Sequence, residues 1–129
     1  MTITTGAQAP TFSLPATRSR SVTSQALQGH PYILYFYPKA DTSGCTKEAQ
    51  AFQEALPQFT QTSLAIIGVS RDPLRALDKF ADKFTLDFPL ASDEAGTLTE
   101  AYGVWVEKSM YGKKYMGIER STFLVGPDG

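Results

Sequence analysis

The sequence predicts an α/β sandwich, a central sheet with helices on both faces. Three observations carry this. Residues 32–37 and 64–69 are continuous apolar runs, the pattern of strands covered on both sides. After each run, apolar residues recur every three or four places, which is helical spacing. The two patterns alternate along the chain, and alternation lays helices over a sheet rather than sheet over sheet.

The elements follow in order. Residues 1–10 are a polar lead-in. Residues 12–14 alternate and end at Pro15, a short strand, with 18–22 as its hairpin partner. Residues 24–27 make one helical turn closed by Gly29. The central strand, 31–37, stops at Pro38. A helix begins after Thr42 or Ser43, either of which suits an N-cap, and carries Cys45, Ala49, Phe52 and Leu56 on one stripe. Pro57 marks its end. After the strand at 64–69, Asp72 as N-cap and Pro73 at the first helical position open a second helix. Its apolar face is Leu74, Leu77, Phe80, Ala81 and Phe84. Residues 88–90 read as a short strand. Residues 92–94 start a third helix that runs through Leu98 and Tyr102, with Gly103 at C′. Residues 103–117 form a long loop or loose hairpin, 121–125 a strand without a sequence-adjacent partner, and 126–129 a turn.

At 129 residues and 42% hydrophobic content the chain suits one domain with a real core. A net charge of −1 argues against nucleic-acid and membrane surfaces, and Arg18, Arg20, Lys113 and Lys114 read as solvated charges. No apolar run approaches the ~18 residues that span a bilayer, and the N-terminus lacks the pattern of a signal peptide. One cysteine excludes an intrachain disulfide and a cysteine-rich metal site, and fits a reducing, cytoplasmic location. Trp105 and Tyr111 read as packing residues. His30, in a Gly-His-Pro turn, reads as a surface residue.

Cys45 is the candidate for chemistry. As a buried small hydrophobe it would need no explanation. Yet it sits at a helix start, among Thr42, Ser43, Gly44 and Thr46, which are small and polar. Unpaired N–H groups and the macrodipole favour thiolate there. Spacing removes several alternatives. A tyrosine-phosphatase loop needs Arg at position 51, where Ala stands; a dithiol pair needs Cys at 48, where Glu stands. A papain-like order needs a later His, and His30 comes earlier. What remains is a nucleophilic cysteine without a histidine base. Lowering a thiol pKa from ~8.5 to ~6 raises the thiolate fraction ~30-fold at neutral pH, but roughly tenfold is lost in nucleophilicity. Fast chemistry therefore requires donors on the leaving group.

Pro38-x-x-x-Thr42-x-x-Cys45 resembles the active-site motif of the peroxiredoxins. Phe36-Tyr37-Pro38-Lys39, Thr42 to Ala49, Phe88-Pro89-Leu90-Ala91-Ser92-Asp93, Tyr102-Gly103-Val104-Trp105, Lys108, Tyr111-Gly112-Lys113 and Gly117 to Leu124 are similar to the bacterioferritin comigratory protein, or peroxiredoxin Q, subfamily. The resemblance implies a single thioredoxin-like domain over residues 1–129, with a central mixed sheet, C-terminally incomplete, since family members continue with a further strand and helix. It implies reduction of hydrogen peroxide and organic hydroperoxides without cofactor or metal. Cys45 would be the peroxidatic nucleophile. Thr42 would hydrogen-bond the peroxide, Arg120 would hold thiolate and peroxide oxygens, and Pro38 would shield the pocket. The N–H groups near Gly44 and Cys45 would bind peroxide oxygen, and Glu48 would orient the arginine. Family members carry a resolving cysteine where this chain has Gln50, or on the next helix near Phe80 and Ala81. A one-cysteine cycle follows, served by thioredoxin, glutaredoxin or glutathione, in a monomer. Two other readings stand beside it: a peroxide sensor that relays oxidation to a partner, and an interaction domain that kept only the fold.

Overall fold

Tyr32–Phe36, strand β3, is the middle of the molecule because its side chains are apolar on both faces. The computed structural model describes residues 4–129. Before β3 come β1 (Ser13–Ala16), β2 (Arg20–Thr23) and α1 (Ser24–Leu27). After it come α2 (Ser43–Gln61), β4 (Ala65–Ser70), α3 (Leu74–Phe84), β5 (Leu90–Ser92), α4 (Thr97–Ala101), β6 (Trp105–Met110), β7 (Lys113–Ile118) and β8 (Ser121–Val125). Six strands form one sheet in the order β2-β1-β5-β4-β3-β8, with β3, β4 and β5 parallel and the others antiparallel to their neighbours. The sheet is thus mixed, as the family resemblance implies, and β8 finds its partner in β3 rather than in a sequence neighbour.

Alternation along β3 sends Tyr32, Leu34 and Phe36 to one core, with Ile67, Val69, Leu98, Tyr102 and Ile118. Tyr35, followed by Tyr37, enters the other, with Cys45, Ala49, Ile66, Leu77 and Phe80. Helices α2 and α3 cover this second face. The short α1, α4 and the β6–β7 hairpin cover the first. Burying each large apolar side chain contributes about 1.5–3 kcal/mol, which is why two short runs suffice to place both layers.

One glycine sets how α2 lies on the sheet. Tyr35 sits opposite Gly68 in the parallel β3–β4 register. A Cβ at Gly68 would stand 2.8 Å from the Tyr35 ring, so only glycine lets the ring lie across β4. Tyr35 then stacks on Phe52 of α2 at a 4.5 Å centroid distance. That contact fixes the helix that carries Cys45.

Several elements depart from expectation. Helix α2 runs through Pro57 to Gln61. Proline removes one backbone bond, but Leu56 and Phe59 pack on the core on either side of it, and the Thr60 hydroxyl donates to Leu56 O (2.9 Å). The third helix is shorter than its pattern, starting at Thr97 rather than near Ser92. Asp93 is buried and accepts from Leu98 N–H (3.1 Å) and Thr99 N–H (2.7 Å), so residues 93–96 become a capping turn. Strand β5 starts at Leu90, later than the pattern at 88–90. Residues 103–117 resolve into Gly103 in the left-handed region, at C′ as expected, and the β6–β7 hairpin. Tyr111 and Gly112 form its turn, both at positive φ, so Tyr111 is 98% exposed and packs on nothing. Trp105 does pack: the Arg71 guanidinium lies 3.5 Å over its ring. His30 is exposed, as read.

Asp72 does not cap α3. Pro73 occupies the N-cap position, without a side-chain hydrogen bond. The Asp72 carboxylate instead accepts from Ala40 N–H (2.8 Å) and from the Ser70 hydroxyl (2.8 Å). A tertiary backbone donor left without a strand partner outcompetes the local cap.

Candidate active site

The stripe that seats α2 on the sheet also aims Cys45 inward. Cys45 is in the first turn, 2% exposed, and one turn before buried Ala49. The first intrahelical bond is Thr46 N–H to Thr42 O (2.8 Å). The amides of Ser43, Gly44 and Cys45 precede it and point out of the helix start, with the positive end of the macrodipole. Thr42 occupies the N-cap position, but its side chain makes no cap bond. Its hydroxyl donates to Lys39 O (2.9 Å) instead. That uses its one proton and leaves the oxygen lone pairs as acceptors.

The second half of the site comes from far along the chain. Strand β7 ends at Ile118 and β8 begins at Ser121, so Arg120 lies in a two-residue link. Its guanidinium forks. Nη2 lies 3.1 Å from Cys45 Sγ, and Nη1 donates to Glu48 Oε1 at 2.5 Å. Glu48 is one turn beyond Cys45 and therefore on the same side of α2. The Arg120 side chain is 40% exposed and that of Glu48 20%, so the pair sits at the rim of the buried sulfur. Burial pulls the Arg120 pKa down, but the hydrogen bond and charge of Cys45, with the Glu48 carboxylate, raise it overall. Burial pushes the Glu48 carboxyl above its usual range, against the opposing charge and hydrogen bond of Arg120.

The structure thus brings together Cys45, Glu48 and Arg120. Gly44 adjoins them, since a Cβ there would meet Arg120 Nη2 at 3.4 Å. Thr42 lies at the mouth of the helix, its hydroxyl turned to its own loop. Pro38 is exposed and borders a neighbouring cleft of about 350 Å³ with Lys39, Arg71, Trp105, Lys108 and Tyr115. Asp72 and Ser70 anchor the loop before Cys45; sequence reasoning placed Asp72 only as a helix cap and did not name Ser70, since Asp-Pro signals a cap and nothing local marks the long-range donor. Among the described residues no group of three His, Cys, Asp or Glu could hold a metal. Among them, too, no helix is long and apolar enough to cross a membrane.

The arrangement suits attack by sulfur on a small polar electrophile. A guanidinium and up to three free amides stand where charge develops on a leaving atom. Glu48→Gln is expected to slow that attack about tenfold, the lower end for losing a charge-assisted hydrogen bond. A protonated Glu48 resembles Gln, so the difference is full above the Glu48 pKa and vanishes as pH falls through it. Second-order rate constants of both proteins across pH check this.

The AhpC/TSA family profile matches residues 5–129. The chain is 44% identical over 129 residues to a putative peroxiredoxin Bcp of Coxiella burnetii, covering 100% of this chain and 85% of that one. It is 46% identical over 123 residues to peroxiredoxin Bcp of Xanthomonas campestris, covering 94% and 77%. A solved structure of the Xanthomonas campestris bacterioferritin comigratory protein superposes with a TM-score of 0.86 at 43% identity, covering 92% of this chain and 75% of that one. With the Cys45–Arg120 geometry in place, these likenesses identify the fold as that of the peroxiredoxins, and the chain belongs to the AhpC/TSA family, in its Bcp/peroxiredoxin Q group.

Proposed function

We propose that the chain is a thiol-dependent peroxidase working through Cys45 alone. The observation that carries this is the Arg120 fork, one nitrogen on the sulfur at 3.1 Å and the other on Glu48 at 2.5 Å. The Cys45 thiolate attacks the terminal oxygen of a hydroperoxide. An S–O bond forms, the O–O bond breaks, and the departing alkoxide or hydroxide takes a proton to leave as alcohol or water. Sulfur is oxidised to sulfenic acid and the peroxide is reduced. Arg120 and the amides of Gly44 and Cys45 hold the oxygens as charge builds. Thr42 accepts a hydrogen bond from the peroxide O–H, and Pro38 screens the approach.

The chain holds one cysteine, with Gln50, Phe80 and Ala81 where relatives' second thiols are expected. The cycle then runs through an external thiol, which attacks the sulfenic sulfur and releases water. A second thiol attacks the mixed disulfide and returns Cys45 to the reduced form. Thioredoxin, glutaredoxin or glutathione in a reducing cytoplasm would supply these electrons to a monomer. Hydroperoxides with organic substituents are included, since the Xanthomonas campestris relative is described for alkyl peroxide reduction.

Stopped-flow mixing with hydrogen peroxide, followed by mass spectrometry with a sulfenic-acid trap, tests the first half. Peroxide loss under excess dithiol tests the second. The expected result is a trapped adduct on Cys45 and continuous turnover. Consumption of one equivalent and no more would favour a peroxide sensor that passes oxidation to a partner. A rate no faster than free cysteine would leave only an interaction domain.

A further inference from the structure

We infer that Asp72 is a positioning residue for the Cys45 reaction, an inference that rests on the peroxidase reading. The segment from Pro38 to Thr42 has no strand or helix of its own, yet it decides where α2 begins and so where the amides of Ser43, Gly44 and Cys45 point. Asp41 in this segment takes φ +60, the left-handed region that Asp tolerates better than most non-glycine residues. Two ties hold it. Lys83 reaches Asp41 at 3.0 Å, but both side chains are about half exposed, and such pairs fix little. The other tie is interior. Asp72, two residues beyond the end of central strand β4, accepts the N–H of Ala40 at 2.8 Å, and Ala40 is half-buried against the Cys45 core.

The carboxylate is itself aimed. The Ser70 hydroxyl donates to the same oxygen at 2.8 Å, and the Ser92 hydroxyl from β5 donates to Asp72 O at 2.6 Å. Ser70 and Ser92 are both buried. Two sheet strands are thereby locked to the residue that grips the loop. Asp72 gave up capping α3 to do this. It touches neither sulfur nor Arg120; it acts through Ala40. A shift of about 1 Å in the helix start would misalign the oxygen donors, and displacements of that size cost up to about 10²-fold in rate.

The test compares Asp72→Ala and Asp72→Asn with the wild-type chain. Three quantities are read: the second-order rate constant with hydrogen peroxide, hydrogen exchange at the Ala40 amide, and the thermal midpoint. Asp72→Ala is expected to slow the reaction about 10–100-fold and to lose protection at Ala40 while still folded at the assay temperature. Asp72→Asn keeps an acceptor oxygen at the same place, and is expected to restore the rate to within about threefold and the protection with it. If Asp72→Ala melts too low to assay, Asp72→Ser, whose hydroxyl is too short to reach residue 40, is read the same way. A fast wild type with an equally fast Ala variant would overturn the assignment. So would equal losses in Ala and Asn, or a slow Ala variant whose Ala40 amide stays protected. A wild type no faster than free cysteine would instead overturn the peroxidase reading, with Ala40 exchange still reporting whether Asp72 holds the loop.

Discussion

Arg120→Ala is expected to slow the reaction of Cys45 with hydrogen peroxide by roughly 10²–10³-fold, about 2.7–4 kcal/mol of transition-state stabilisation. The size follows from what the guanidinium touches. It donates to the sulfur and to Glu48 at once, so the cation is already oriented before peroxide arrives. Orientation made in advance costs nothing when the O–O bond lengthens. Removal leaves the mostly buried Glu48 carboxylate without its cation, so that its negative charge faces the developing one uncompensated. Arg120→Lys keeps the charge but not the planar fork, and a loss of about tenfold is expected. Stopped-flow rate constants for the three proteins decide the matter. An alanine variant within threefold of wild type would remove the guanidinium from the mechanism.

Thr42→Val should produce a loss of similar size, roughly 10²–10³-fold, for a different reason. Valine nearly matches threonine in shape but has no oxygen. The hydroxyl proton is committed to Lys39 O at 2.9 Å, so toward any other partner the oxygen can act only as an acceptor. In the proposed mechanism that polarity would align the peroxide with its O–H toward Thr42 and its other oxygen toward the Arg120 and amide donors. Valine loses the alignment and the Lys39 tie together. Thr42→Ser retains both and should stay within about tenfold of wild type. Equal rates for Val and Ser would show that the hydroxyl plays no part in aligning substrate.

Legibility in the sequence divided along physical lines. The run ending at Tyr37 and the stripe Cys45, Ala49, Phe52 were readable because periodicity reports burial directly. Gly103 at C′ was readable because few residues tolerate that backbone. Helix α2 passing Pro57 was not, since side-chain packing at Leu56 and Phe59 overrode a local rule. Asp93 and Asp72 went the same way. Each carries a side chain able to cap the next residue or to serve a distant amide, and only the fold decides which. The meeting of Arg120 with Cys45 has no periodic signature at all. It was anticipated from resemblance to the peroxiredoxin motif, and the strand order supplies its cause: β8 pairs with β3, which carries the link bearing Arg120 to the end of the sheet where α2 starts.

That strand order also decides when the sulfur becomes dangerous. Cys45 and Arg120 are 75 residues apart in sequence, on elements that meet only after β8 has added to β3. A chain in which β8 has not yet paired with β3, or has lost that pairing, carries a thiol with no guanidinium beside it. Such a chain should ignore traces of oxidant that the finished protein consumes. The pairing of β8 with β3 is thus what brings a guanidinium to the sulfur, and with it the reactivity expected of the folded chain.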